Sequence, residues 1–408
     1  MSPFHWESNK SGIWYATMDR RDFLKLSTAA VVAASDTVTG AVEQAPAPAT
    51  PPRVKFAVLG INHNHVQGQI AAVRRGGGEL AAFHAEEPEL SAEFLKRYPA
   101  VKQARSRQEI LDDPSIRLIV SAAIPSDRAA LAAECMRHGK DFCVDKPGAT
   151  TLEQLAELRK VQADTRRIFS VLIERHESRS TQKALELVKT GALGRVIQTL
   201  ATAPHKMSPA TRPPWFFQRA RYGGILVDLA SHHADEFVAF TGSTRADVVA
   251  SQIGNLNHPQ SPEVEDFGDM LLRSDKATGY IRADWFTPDG LEVFGDGRTF
   301  ILGTDGYIEI RKSIDIAGRP GADHVLLVDK KGAQHIDCKD QALPYGQQLV
   351  DDILDRTHTS DDQSAVFLAM EIALRAEQQA HRLMLAQPFV TRADYLRSED
   401  AQARRTAP

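Results

Sequence analysis

Cysteine is scarce. Three residues in 408, Cys135, Cys143 and Cys338, form no even framework and no zinc-type spacing, so neither a disulfide scaffold nor a structural metal is indicated. Charge of one sign is also lacking. A net charge of −4 gives no electrostatic footprint for nucleic acid or an anionic membrane. No apolar run approaches the roughly 20 residues of a membrane span. What remains is an ordinary globular composition, 42% hydrophobic and 25% charged, in a chain long enough for two or three domains.

Before Pro52 the pattern of a fold is missing too. Arg20-Arg21-Asp22-Phe23-Leu24-Lys25 precedes a mild apolar segment, Leu26–Ala34, and then an Ala/Pro/Thr-rich stretch, Ala45–Pro52. A basic pair, a short hydrophobic region and small residues match a twin-arginine export signal, with Met18 as the start and Ala45–Pro52 as a spacer. The competing reading is a tail in which Arg-Arg is accidental. Residues 1–52 are therefore expected to be signal and linker, and the chain periplasmic or exported, with a cytoplasmic location as the alternative.

From Arg53 to Ser170 short apolar runs alternate with helical spacing. Val54–Leu59, Leu80–Phe83, Ile116–Ala123 and Phe142–Val144 read as strands; His65–Arg75, Pro88–Tyr98 and Arg128–His138 read as helices. Such alternation argues for parallel βαβ units, an α/β nucleotide-binding domain over 53–170. The turn after the first strand, Gly60-Ile61-Asn62-His63-Asn64-His65, is where a dinucleotide pyrophosphate meets a helix N-terminus. Its glycine fingerprint is incomplete, with Asn62 at the second position and His65 at the third. Asn tolerates left-handed dihedrals, so the tight turn survives. A metal reading of His63 and His65 lacks a third ligand at recognisable spacing and is set aside. A ribose-binding acid is expected about 20 residues further on, near Ala85-Glu86-Glu87. With no Arg or Lys at that strand end, Glu86 favours NAD over NADP; alternatively Glu86 and Glu87 are only the acidic first turn of the next helix. The fourth strand delivers Asp145-Lys146-Pro147. A lysine there sits where open α/β sheets keep their ligands, although an isolated Lys-Pro reads equally as a solvated loop.

Over 171–386 the pattern changes. After a helix at Thr181–Lys189, ended by Gly191-Ala192-Leu193-Gly194, come strand-like runs at Arg195–Ala201, Val248–Ile253, Gly268–Leu272, Thr278–Asp284, Leu291–Phe294, Phe300–Gly303, Tyr307–Ile310 and His324–Val328. Strands without intervening helices argue for a large, mostly antiparallel sheet in an α+β domain, closed by helices at Tyr345–Asp355 and Ser364–Leu383. Residues 387–408 read as a tail. Within this half, Gly223-Gly224 opens a helical pattern that puts Asp228, His232 and Asp235 at i, i+4 and i+7 on one face. An Asp–His surface pair is the plain alternative.

Strand–Gly60 turn, Asp145-Lys146-Pro147, Gly191–Gly194 and Asp228-Leu229-Ala230-Ser231-His232 occur in this order. Together they resemble the Gfo/Idh/MocA family of glucose–fructose oxidoreductase and inositol dehydrogenase relatives, from about Val54 to Ala386. The resemblance implies an N-terminal Rossmann domain holding NAD(P) and a C-terminal open sheet that covers the substrate and mediates oligomerisation. It also implies roles. Lys146 would stabilise alkoxide character, His232 would be the general acid/base, and Asp228 would orient the site. Gly60, Asn62, His63, Asn64, His65, Glu86, Ile124, Pro125, Asp145, Lys146 and Pro147 would line the cofactor site. Arg175, His205 and Trp215 would face the substrate, with Trp215 alternatively sealing the domain interface.

The implied activity is hydride transfer between NAD or NADP and a sugar, polyol or related carbinol. Two alternatives stand beside it, a redox-neutral NAD-dependent glycosidase and a binding module without turnover. Export adds a constraint. Outside the cytoplasm no pool recycles free nicotinamide, so the cofactor is expected to be tightly bound.

Overall fold

The computed structural model describes residues 53–383 and, ahead of them, the backbone of two four-residue strands, β1 (His5–Ser8) and β2 (Trp14–Thr17). These two pair antiparallel, His5 opposite Thr17, in a stretch where the sequence shows no fold pattern. The export-signal reading over 18–52 and the tail over 387–408 fall outside the described residues.

The first sheet comprises β3 (Val54–Leu59), β4 (Gly78–His84), β5 (Lys102–Gln103), β6 (Ile116–Ser121), β7 (Asp141–Asp145) and β8 (Phe169–Leu172). All its pairings are parallel, in the order β5-β4-β3-β6-β7-β8. This is the doubly wound dinucleotide-binding order. Helices cover both faces, which is why β7 is buried at every residue and reads as a continuous run rather than an alternation. The strand order reverses between β3 and β6, and a crevice opens beyond their carboxyl ends. The loops after β3 and β6 are tied together there: Ala122 N–H donates to the Gly60 carbonyl and His63 N–H to the Ala122 carbonyl. Gly60 has φ +79°, and a Cβ on it would lie 2.6 Å from the Ala123 Cβ. The close approach of these two loops requires glycine.

The second sheet has nine strands: β9 (Val196–Pro204), β10 (Asp247–Gly254), β11 (Phe267–Arg273), β12 (Thr278–Asp284), β13 (Arg298–Gly303), β14 (Tyr307–Arg311), β15 (His324–Asp329), β16 (Gly332–Asp337) and β17 (His381–Arg382). Their order is β16-β15-β14-β13-β9-β12-β11-β10-β17. The β9–β12 and β10–β17 pairs are parallel and the rest antiparallel, so the sheet is mixed but mostly antiparallel, as expected. One face is covered and the other open. Ile301, Ile308 and Ile310 are buried while Phe300, Leu302 and Tyr307 are exposed, the alternation of a one-sided sheet.

Three local expectations change. The run Leu291–Phe294 is not a strand but part of a loop. The Phe294 carbonyl accepts from Lys206 N–H and that of Leu291 from Lys206 Nζ, which replaces a sheet ladder. The helical stretch after Gly224 is broken at Leu229–Ala230 into Ile225–Asp228 and Ser231–Thr241. Third, the helix Tyr345–Asp355 does not close the second half. Tyr345, Leu349, Val350 and Ile353 pack with Phe56, Ile70 and Val73 in the core of the first sheet.

The helix Gln363–Gln379 joins the two halves. Val366, Phe367, Met370 and Leu374 pack into the first sheet's core, whereas Ala369, Ile372 and Ala376 pack into the second's. A single rigid element thus fixes the spacing of the cleft between the sheets.

Candidate active site

The site begins with β7. Its apolar residues carry the chain to the carboxyl edge of the first sheet, where Asp145 is buried and must find partners. They come from Arg128 in the helix Pro125–Arg137, a fully buried guanidinium. Arg128 Nη2 donates to Asp145 Oδ2 at 2.8 Å, Nη1 to the carbonyls of Asp145, Lys146 and Pro147, and Nε to that of Ala123. Burial would raise the Asp145 carboxyl, but Arg128 and the two neighbouring histidines hold it well below the usual carboxylate range. One guanidinium therefore fixes the whole Asp145–Pro147 turn. Ile124 and Pro125, expected at the cofactor, cap and open that same helix.

The turn aims Lys146 at the second half. Its ammonium is nearly buried and donates to Asp228 Oδ1 at 2.8 Å and to the Asp228 carbonyl at 3.0 Å. Asp228 ends the short helix that follows Gly224, whose φ of +103° and contact with the Glu377 carboxyl leave no room for a side chain. Burial again acts to raise the Asp228 carboxyl, and the Lys146 ammonium overcomes it. His232 stands one turn further on. Its Nδ1 accepts the Glu174 backbone N–H at 3.1 Å, and burial, reinforced by Lys146, pushes its pKa well below 6.5.

These three side chains line one cleft of about 440 Å³ with His63, Asn64, His65, Asp145, Glu174, His205, Arg212, Trp215, Trp285 and Phe294. The amine from the first half and the carboxylate–imidazole pair from the second therefore converge. His205 has its Nδ1 3.2 Å from the Ala203 carbonyl, and burial, with Lys146 adding to it, lowers its pKa to about 4. The Trp215 indole packs edge-on to His63, and its Nε1 has no partner among the described residues.

Other expected residues are placed differently. Arg175 does not face the cleft. Its guanidinium is clamped between Asp235 and Asp361, a buried ion network. Asp235 is taken up by this pairing, and the break at Leu229–Ala230 separates Asp228 from the helix that carries both His232 and Asp235. Asn62 donates to Glu87 at 2.6 Å, bracing the turn. Glu86 is exposed, and the basic residue absent from its own strand end arrives from elsewhere: Arg107 reaches within 3.9 Å of it. The basis for favouring NAD is correspondingly removed.

His63 and His65 do acquire a third neighbour, Asp145, with all three ligand atoms within 4.8 Å; spacing along the chain had hidden it. His65 Nδ1 lies 3.0 Å from Asp145 Oδ1, while His63 Nδ1 is 3.2 Å from Oδ2 without hydrogen-bond alignment. Arg128 already neutralises this carboxylate and Lys146 follows it in sequence. A divalent ion there would face two fixed cations, so the trio serves better as a polar brace than as a metal centre.

Residues 54–173 match the family model for the oxidoreductase family with an NAD-binding Rossmann fold, and residues 181–309 that of the GFO/IDH/MocA C-terminal domain. The chain belongs to the Gfo/Idh/MocA family. An Erwinia carotovora structure described as an oxidoreductase is 43% identical with a TM-score of 0.79, covering 81% of this chain and 100% of that one. The scyllo-inositol 2-dehydrogenase (NAD(+)) of Bacillus subtilis is 23% identical over 290 residues, 69% of this chain and 78% of that enzyme. Levoglucosan dehydrogenase of Pseudarthrobacter phenanthrenivorans is 27% identical over 151 residues, 36% of this chain but only 39% of that enzyme. Within this Gfo/Idh/MocA chain, Arg128, Glu174, Arg212 and Trp285 are site residues the sequence reading did not single out. Arg212 had a signal of sorts, standing beside Pro213-Pro214-Trp215. Its guanidinium lies 4.5 Å from the Phe216 ring centroid and 4.8 Å from that of Trp285.

Two outcomes follow from these buried charges. Arg128→Ala strands Asp145 and several carbonyls, and should lower stability by about 3–5 kcal/mol, read by urea denaturation; a change under about 1 kcal/mol refutes its bracing role. Separately, His205 is easier to protonate unfolded, at its ordinary 6.5, than folded, at about 4; burial shifts His63 and His232 the same way. The unfolded chain then binds more protons, so stability is full above pH 6.5 and declines as pH falls towards 4. Thermal melts of the wild type should show that decline, and His205→Gln should flatten it. An equal slope in the variant removes His205 from the effect.

Proposed function

We propose that this protein is an NAD(P)-dependent oxidoreductase acting on a carbinol carbon of a sugar, polyol or related compound, with its nicotinamide tightly held. The observation that carries the reading is the bond from Lys146 Nζ to Asp228 beside His232, in a cleft at the carboxyl edge of a doubly wound sheet. The residues present fit the cofactor. Gly60 keeps the turn tight against Ala123, and the ten-residue helix Val66–Arg75 starts directly behind it, offering N-terminal amides to a pyrophosphate. The His65 side chain, where a third glycine is usual, turns towards Asp145 and leaves the helix packing intact. Bound there, the nicotinamide supplies the hydride chemistry.

The chain's own residues supply the rest. Lys146 has two donors committed to Asp228 and a third for a substrate oxygen, where its charge stabilises developing alkoxide character in a dry site. Asp228 holds the ammonium in place. Trp215, Trp285 and Phe294 give apolar faces against which a sugar ring can lie. Around the ribose, Glu86 suits a 2′-hydroxyl and Arg107 a 2′-phosphate, so the pocket admits NAD or NADP. The substrates named for the two dehydrogenase relatives, scyllo-inositol and levoglucosan, are the first to try.

The open face of the second sheet supports self-association. Leu271, Tyr280, Leu200 and Phe300 stand in one cross-strand row, with Leu271 and Phe300 well exposed, an apolar patch of the kind that marks an interface.

The purified full chain should release NAD(H) or NADP(H) on denaturation and show at least a dimer's mass by light scattering. Cofactor-free protein refutes tight retention, and a monomer refutes the sheet interface. With NAD(+) or NADP(+) and scyllo-inositol or levoglucosan, Lys146→Ala should lose hydride transfer, followed by nicotinamide absorbance, while still binding dinucleotide. Turnover preserved in the variant would take Lys146 out of the reaction.

A further inference from the structure

Arg212 is the one charged group lining the cleft that makes no ion pair among the described residues. The others are matched. Asp145 meets Arg128, Lys146 meets Asp228, Glu177 meets Arg75, and Glu174 meets Lys312, which it shares with Glu236. Arg212 stands between the single turn Pro209–Thr211 and Pro213, extended at φ −85° and ψ 138° as the residue before a proline is expected to be. Its guanidinium is wedged among three rings, with Cζ 4.5 Å from the centroid of Phe216, 4.8 Å from that of Trp285 and 5.5 Å from that of Phe294. Part of the fork is used internally: Nε donates to the Met207 carbonyl at 3.0 Å and Nη2 to the Lys206 carbonyl at 3.2 Å. Nη1 has no acceptor among the described residues, and Nη2 keeps a second N–H.

A half-buried guanidinium without a counter-ion is costly. Burial lowers its pKa, and the Asp228 carboxylate, already bonded to Lys146, offsets only part of this. The ring faces compensate some of the charge but leave the in-plane donors of Nη1 and Nη2 unanswered. The Trp215 indole, edge-on to the Phe216 ring, likewise has no acceptor for its Nε1 among the described residues. Both groups only donate, so the ligand they suit is one that only accepts. A hydroxyl is not such a ligand. A carboxylate is, and its two oxygens match the paired N–H bonds of a guanidinium edge.

We infer that Arg212 is a specificity residue for a carboxylate, and that the substrate is a sugar acid, a uronate or an aldonate, with its carboxylate on the Nη1–Nη2 edge and its reacting carbinol at Lys146. This rests on the oxidoreductase reading and narrows its substrate. The cofactor's phosphates are not the partner. The guanidinium's contacts, Lys206, Met207, Phe216, Trp285 and Phe294, all belong to the second half, whereas the Gly60 turn belongs to the first. His205 packs edge-on against the same Trp285 and Phe294 rings. Asp228, which Lys146 holds at 2.8 Å, is close enough to act on the Arg212 charge. The anion end and the reacting end thus share one cleft of about 440 Å³.

Calorimetric titration of the full chain, with NADH or NADPH present, reads the preference directly: D-glucuronate against D-glucose, and D-gluconate against D-glucitol. At least one acid should bind about thirtyfold or more tighter than its neutral counterpart, the lower end of what a hydrogen-bonded charge loses with its partner. A smaller preference at both acids overturns the inference. In Arg212→Gln that ratio should drop by at least about tenfold, and a smaller drop also overturns it, because a guanidinium that only stacks on Phe216 does not separate an acid from a neutral sugar. Where Arg212→Gln fails to fold by circular dichroism, Arg212→Lys, which keeps the charge without the fork, decides the matter by whether its ratio falls below that of wild type. Tighter binding of D-glucose 6-phosphate than of D-glucuronate assigns the edge to a phosphate and overturns the carboxylate. An Arg212-dependent preference with no nicotinamide absorbance change for either acid, under NAD(+) or NADP(+), keeps the carboxylate subsite and counts against the oxidoreductase reading alone. Turnover of the neutral compounds without any preference for acids does the reverse.

Discussion

The Arg128 guanidinium is the fixed point of the site. A buried charge is tolerated only when paired and fully hydrogen-bonded, and Arg128 meets that condition by gathering the Asp145 carboxylate and the carbonyls of the Asp145–Pro147 turn. The turn cannot relax without stranding the charge. Through it the electrostatics of the first half reach the cleft, because Lys146 leaves the same turn and its direction is set by it. The Lys146–Asp228 pair then closes the gap between the halves. Neither pair is notable as a source of stability, since desolvation offsets most of what a buried ion pair gains. What they confer is position.

Position is maintained from behind by packing. The helix Gln363–Gln379 buries one face in each sheet, and Arg75, at the end of the helix Val66–Arg75, pairs with Glu177 of the cleft lining. A cleft whose walls were free to shear would lose the alignment of an amine, a carboxylate and two imidazoles borne by different elements. Sub-ångström placement of this kind governs how much a catalytic group contributes. The same packing dries the site. It is the drying that drives His205 and His232 to stay neutral and lets Lys146 act at full strength on a nearby oxygen.

The parts of this arrangement legible in the sequence are those written as local patterns. The strands of the first sheet are buried on both faces and so read as apolar runs, and Gly60, Lys146-Pro147 and Asp228…His232 stand at their ends in family order. Illegible were contacts made by residues that look ordinary where they stand. Arg128 lies in an unremarkable helix, and nothing local separates a buried guanidinium from a solvated one. Arg175 was misread for the mirror-image reason, because its partner Asp361 is 186 residues away. The helix Tyr345–Asp355 shows a buried face but not which sheet receives it. Leu291–Phe294 has the composition of a strand, yet Gly290 and Gly295 bound a loop that Lys206 stitches down.

The altered glycine turn belongs with these distant effects. In the usual fingerprint the third glycine allows close packing of helix on strand, and a histidine there looks like damage when the turn is considered alone. Asp145, 80 residues later, draws the His65 ring out of the packing and onto a carboxylate that Arg128 has already fixed. The turn, the β7 terminus and the helix bearing Arg128 thus form one hydrogen-bonded unit. A substitution that removes the local signature of a dinucleotide turn is offset by a link between the turn and the residue preceding Lys146, so the geometry around the cofactor edge and that around the reacting oxygen are set by the same carboxylate.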